Sequence, residues 1–273
     1  MMQRAYAYLM ENREEATRLE IKTDPAAVKK QAQWCGIKPG MRIMDAGCGP
    51  GKTTSILHKM IQPGGTIVGV DYSENRINYA REYYSHLPGI EFQVHDLRNP
   101  LNGLGQFDLI WVRFVLQHDL AESPDIIKNL TACLKPEGYL CLLDLDYNCL
   151  NHYELPEKAE DILFQLMDEL EKTFNFDAYA GRKLYAYLYD MGYRDIAVEL
   201  IAHHLFYGEM SQEDKFNWRK KFEVVIVKVK DIFHNYPGGM EAFQTEFFRF
   251  FNDPRRFTYT PMILCKGKKP LNN

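Results

Sequence analysis

No Cys-x-x-Cys pair occurs in the sequence. Its six cysteines, Cys35, Cys48, Cys133, Cys141, Cys149 and Cys265, are scattered, which argues against both a zinc site and a disulfide framework. No apolar run reaches the ~18 residues of a membrane span, and Met1-Met2-Gln3-Arg4-Ala5-Tyr6 lacks the apolar core of a signal peptide. A reducing cytoplasm, without membrane attachment, is therefore the expected setting. One-sided charge is also missing: 33 basic residues face 37 acidic ones for a net charge of -4, so no nucleic-acid partner is expected. There is no internal repeat and no low-complexity tract. What remains is a chain of 273 residues, 46% hydrophobic and 26% charged, long enough to bury one elaborated core or a core with a lid.

The stretch that organises the chain is Arg42 to Thr54, Arg-Ile-Met-Asp-Ala-Gly-Cys-Gly-Pro-Gly-Lys-Thr-Thr. An apolar run (Met41, Ile43, Met44, Ala46) suits a buried strand. Gly47, Gly49 and Gly51 then remove the Cβ atoms that would hold a ligand away from the backbone. Thr53 to Ile61 continues at helical spacing. The dinucleotide fingerprint needs its third glycine three positions after the second, whereas Gly51 follows Gly49 by two. Gly51-Lys52-Thr53 fits the end of a phosphate-binding loop, but Asp45 stands at the mouth of the turn. An acid there would face the ligand, suiting a cationic amine and repelling a phosphate.

This stretch resembles motif I of the class I S-adenosylmethionine (SAM) dependent methyltransferases, an acid followed by Gly-x-Gly-x-Gly. Later segments match the order of that family. Thr66 to Val70 reads as a second strand ending in Asp71, with Asp71-Tyr72-Ser73 as the second motif. Ile90 to Val94 leads to His95-Asp96-Leu97. Phe107 to Val112 fits the fourth strand, and Leu134 to Leu140 fits the turn into the fifth. The resemblance implies an α/β, Rossmann-like, seven-stranded doubly wound sheet of order 3-2-1-4-5-7-6, its last strand antiparallel, with helical insertions as lids. SAM, with S-adenosylhomocysteine (SAH) as product, would be held by Asp45, Ala46, Gly47, Cys48, Gly49 and Gly51 of the turn. Asp71 would accept from the ribose hydroxyls and Asp96 would face the adenine amino group, with Tyr72, Ser73 and Leu97 also on the cofactor, and Arg113 would emerge at the same strand ends.

The sequence divides as an amino-terminal helical cap (1–36), a SAM-binding core (37–150), a helical insertion (151–178), continued core (179–203), a second helical insertion (204–256), and a final strand with tail (257–273). Asp24-Pro25 is a helix start and Gly36 a helix end. Leu163, Leu166, Met167, Leu170 and Phe174 recur at helical spacing in the first insertion, as do Phe222, Ile226, Val229 and Phe233 in the second. Phe174, Phe176, Tyr179, Phe206, Tyr207, Trp218, Phe222, Phe233, Phe243, Phe247, Phe248, Phe250 and Phe251 are too many to leave exposed. They must pack on each other, on a partner subunit or around a ligand; the expectation is a small-molecule pocket roofed by these helices and the amino-terminal segment, with homodimerisation as the rival use.

Chemistry is expected after the fourth strand. Methyl transfer is an in-line displacement that mainly needs aligned reactants in a dry pocket. A base is optional: His118, with an ordinary pKa of ~6.5, is the best-placed acceptor of a hydroxyl proton. Tyr6, Gln117, His118, Tyr147 and Asn148 are the expected acceptor-pocket residues, and no metal is expected. His152 and the His203-His204 pair read as structural or solvated. The Asn-Pro-Pro-Tyr signature of amino-group methylation on bases and glutamines is missing where Trp111-Val112-Arg113-Phe114 stands. A small-molecule methyltransferase is thus the leading reading. A non-catalytic or protein-directed SAM-binding module of the same fold is the other, and a dehydrogenase is disfavoured by the glycine spacing.

Overall fold

In the computed structural model, residues 15–270 are described. Helices α1 (Glu15–Lys22) and α2 (Pro25–Cys35) precede strand β1 (Arg42–Ala46). Asp24 caps α2 by accepting the Ala26 N–H at 2.8 Å, and Gly36 ends it in the left-handed region. Val28 and Ala32 are fully buried against the sheet. Alternation then runs through α3 (Lys52–Met60), β2 (Thr66–Asp71), α4 (Glu74–Tyr84), β3 (Ile90–Val94), β4 (Phe107–Arg113), α5 (Ser123–Ala132) and β5 (Leu134–Leu145). Each strand is joined in parallel to its neighbours, in the order β3-β2-β1-β4-β5. The strand ends that follow Ala46, Asp71, Val94 and Arg113 therefore share one edge.

The remaining elements are β6 (Asn151–Tyr153), α6 (Glu157–Phe174), α7 (Ala180–Asp190), β7 (Arg194–Phe206), α8 (Gln212–Ile226), α9 (Gly239–Asn252) and β8 (Phe257–Lys268). Strand β8 lies antiparallel between β5 and β7, as the order expected from sequence requires. Among the described residues the sheet has eight strands rather than seven. The extra one, β6, pairs with the first residues of β8, Tyr153 opposite Phe257, in line with β5. It lies where the sequence reading opened a helical insertion. Strand β7 also runs on to Phe206, with a register shift between Ala202 and His204. Apolar cores fill both faces of the sheet, one under α2 and α3 and one under α5 and α7. A third joins α6, α8 and α9 above the strand ends, with Phe222, Phe243 and Phe247 stacked at its centre.

Candidate active site

A cavity of about 270 Å³ opens at the shared strand edge and extends beneath α6, α8 and α9. Its floor is the turn after β1. Gly47 has φ 76°, a conformation that a Cβ makes costly, and a Cβ there would collide with the Val115 side chain. Gly51 has φ 91° and precedes α3; a Cβ would stand 2.9 Å from Ala80 and 3.0 Å from the Phe92 ring. The turn is thus pressed against α4 and β3 on one side and the end of β4 on the other.

Asp71 at the end of β2 is 6% exposed and ties this turn to the next. Its Oδ2 accepts the Gly49 N–H at 2.9 Å. Its Oδ1 accepts the Ser73 N–H at 2.9 Å and the Arg76 guanidinium at 3.2 and 3.0 Å. Oδ1 is saturated, whereas Oδ2 retains capacity for a second donor, and Asp71 lines the cavity. Asp96, also on the wall, has both oxygens on Arg98, whose Nη2 lies at 2.7 Å. Hydrogen bonds from Arg98 hold its carboxyl below the usual range. Helix α1 lies across the turn: Glu20 accepts from Lys52 Nζ at 2.8 Å and from the Tyr84 hydroxyl at 2.7 Å. Arg18, Leu19 and Lys22 of α1 face the cavity.

At the end of β4, Arg113 donates to Gln31 of α2 at 3.0 Å and lies 4.1 Å from the Phe114 ring. Burial lowers its pKa to about 10, with Asp45, Asp144 and Asp24 opposing the shift. The following turn, Leu116–His118, is fixed from below by Asp144. That carboxylate accepts the Gln117 N–H at 3.0 Å and the Leu145 N–H at 2.9 Å. At 1% exposure, burial pushes it up to about 7. The Gln117 carbonyl accepts the Asp177 N–H at 2.8 Å, and its side-chain oxygen accepts Asn148 Nδ2 at 3.1 Å. His118 faces the cavity with its ring 5.5 Å from Phe176. Burial first, then Lys221, Arg76, Lys22 and Arg18, push its pKa down to about 3, so the imidazole is neutral at physiological pH.

The far end of the cavity is apolar. Leu163, Leu166, Met167 and Leu170 of α6 face Trp218 and Phe222 of α8, with Phe247 of α9 behind them. Among the described residues, Lys221 of α8 brings a cation to this wall. Lys221 Nζ lies 3.3 Å from Asn148 Oδ1 and 2.9 Å from Cys149 Sγ.

Of the residues expected from sequence, Gly47, Cys48, Gly49, Asp71, Tyr72, Asp96, Leu97, Arg113, Gln117, His118 and Asn148 line this cavity. Asp45, Ala46, Gly51, Ser73 and Tyr147 do not. Asp45, 2% exposed, is held beneath the turn by the Thr54 hydroxyl at 2.6 Å, and burial pushes its pKa up to about 7. Ala46 is fully buried in β1, and Ser73 caps α4. Tyr147 is turned outward with φ 47°, its ring 4.4 Å from the Arg182 guanidinium that Asp146 anchors. Tyr6 lies outside the described residues. Sequence reasoning missed Arg76, Asp144, Lys22 and Lys221. An arginine in the first turn of a helix opposes the helix dipole, so Arg76, five residues after an acid, carried a readable signal. Lys22 and Lys221 carried none.

Residues 37–218 match the family described as a methyltransferase domain. The chain belongs to that family. Its sheet, with β8 antiparallel between β5 and β7, is the class I Rossmann-like methyltransferase fold. Among curated proteins it is 33% identical over 102 residues to trans-aconitate 2-methyltransferase of Yersinia pestis, covering 37% of this chain and 36% of that protein. It is 32% identical over 114 residues to an uncharacterised protein of a Streptomyces fradiae transposon, covering 41% and 32%. The matched part thus spans only about a third of these relatives. Among solved structures, phosphoethanolamine N-methyltransferase 2 of Haemonchus contortus, with phosphomonomethylethanolamine and SAH, aligns over 94% of this chain and 57% of that one. Its TM-score is 0.58 at 16% identity. The [4+2]-cyclase SpnF aligns over 91% and 82%, with TM-score 0.56 at 15% identity. At such identities these structures speak for the fold alone. Among the described residues, no helix is long and apolar enough to cross a membrane.

Proposed function

We propose that this protein is a SAM-dependent methyltransferase acting on a small-molecule acceptor enclosed under α1, α6, α8 and α9. The observation that carries this reading is the continuity of one cavity, from the glycine turn and Asp71 at one end to an apolar chamber at the other. The residues suit the cofactor: Asp71 Oδ2 has acceptor capacity for a ribose hydroxyl, and the backbone at Gly47 to Gly49 is open to close approach. Arg113, without an ion pair among the described residues, suits a carboxylate. When bound, SAM supplies an electrophilic methyl group on a sulfonium.

The protein's own part is to position and to exclude water. Asp144 and Asp177 fix the Gln117 turn on both its N–H and its carbonyl, and the α6–α8–α9 wall keeps the chamber dry. His118, neutral and hard to protonate, serves as a hydrogen-bonding and packing group, while its low pKa makes it a poor general base. We place the protein in the cytoplasm, with homodimerisation as the rival use of the insertion helices.

Calorimetric titration with SAM and SAH, on the wild type and on Asp71→Asn, tests the cofactor. The variant keeps the size of the side chain and loses its charge. Affinity is expected to fall about tenfold or more, the loss of a charged hydrogen bond being about 1.5–3 kcal/mol. Unchanged affinity would overturn the placement of the ribose. SAM binding with no methyl acceptor among small molecules would favour a non-catalytic module.

A further inference from the structure

The cavity wall is unevenly charged. Among the described residues, seven basic side chains line it against three carboxylates, Asp71, Asp96 and Asp119. Most of the basic groups are matched: Arg18 by Glu15, Lys52 by Glu20, Arg76 by Asp71 and Arg98 by Asp96. Lys22, Arg113 and Lys221 form no ion pair with a carboxylate among the described residues. Arg113 ends β4 beside the cofactor turn. The other two come from elements far apart in sequence, α1 and α8, and line the same cavity.

Each lysine lies near an aromatic ring instead of a carboxylate. Lys22 Nζ lies 5.8 Å from the Phe114 ring, and Lys221 Nζ lies 5.4 Å from the Trp218 ring with Asn148 Oδ1 and Cys149 Sγ, neither of them a carboxylate, as its polar partners among the described residues. Their mutual effect is visible in Lys22, whose pKa is lowered to about 7 by burial and by Lys221, Arg18 and Arg113. Two like charges held together cost free energy unless one gives up its proton or an opposite charge joins them, and an anion between them favours the charged form of both. A bound sulfonium would add to the positive field.

We propose that the acceptor is an oxyanion, a carboxylate or phosphate monoester on an apolar body, with its anionic group held between Lys221 and Lys22 and its body against α6 and α8. This rests on the methyltransferase reading and specifies its substrate class. The anionic group is the anchor, and the methylated atom lies elsewhere on the molecule or on the anion itself.

The experiment is calorimetry on the full chain in two stages. SAH is titrated first; failure to bind would overturn the methyltransferase reading itself. Octanoate, octyl phosphate, octanamide and octanol are then titrated into the SAH-loaded enzyme. The two anions are expected to bind at least about tenfold more tightly than the neutral pair, the better of them naming the oxyanion. Lys221→Met is expected to lose that preference, Lys221→Arg to keep most of it, and both to bind SAH as the wild type does. If SAH binds but the neutral compounds bind as well as the anions, or no anion binds at millimolar concentration, the proposal is overturned. A Lys221→Met enzyme that binds SAH and keeps its preference for anions would overturn it equally.

Discussion

At the scale of single residues, burial sets the properties of two acids. Asp45 and Asp144 are among the most buried charges in the chain, and both are pushed up to about 7. A carboxyl whose folded pKa exceeds its unfolded value binds its proton more tightly when folded. Its burial is therefore free of charge penalty below about pH 4, and the penalty grows until about pH 7. Asp45→Asn keeps an oxygen for the Thr54 hydroxyl and cannot ionise. Its thermal stability relative to wild type is expected to rise between pH 5 and 8, by on the order of 2–4 kcal/mol at the upper end. A stability gap that does not change with pH would show that Asp45 is ionised at little cost. Arg76 is the opposite case, a buried cation opposite Asp71 at 3.0 Å. Arg76→Met leaves that carboxylate without its partner and is expected to cost about 3–5 kcal/mol in urea unfolding. A loss below about 1 kcal/mol would mean that the Gly49 and Ser73 amides suffice for Asp71.

At the scale of elements, what was legible was what local pattern controls. Five strands alternating with helices, the glycine turn, the Asp24 cap and the apolar stripe of α6 all follow from spacing and turn chemistry. The last strand's place between β5 and β7 followed from the family resemblance. Strand β6 was not legible, because three residues pair only where β8 happens to extend beyond β5. Nor was the facing of Asp45, which depends on a hydroxyl nine residues on in sequence, at the start of α3. Tyr147 fell outside the cavity because the left-handed backbone after β5 aims its ring at Arg182. The joining of α6 to α8 and α9 is a tertiary event, and Lys221 acquires its position only through it. These helices bury their aromatic faces within one chain while also walling the cavity. Amide hydrogen exchange of residues 151–178 and 204–254 is therefore expected to slow on adding SAH to dilute protein. Slowing that follows protein concentration and ignores SAH would make them a dimer interface instead.

At the scale of the whole molecule, the five parallel strands gather Gly47, Asp71, Asp96 and Arg113 at one edge, and side chains of α6, α8 and α9 line the cavity that opens there. The same fold carries a cyclase and an amine-directed methyltransferase among its solved members, so architecture alone does not fix the reaction. In this chain one cavity joins the glycine turn to a wall that carries Lys221 among apolar side chains. The most direct measurement is transfer of an isotopically labelled methyl group from SAM to small molecules of a cell extract, followed by mass spectrometry. The expected result is one or a few anionic metabolites gaining the labelled methyl, with SAH formed in equal amount and both lost when Gly47 is replaced by valine. Saturable SAM binding with no labelled product and no SAH would contradict a methyltransferase.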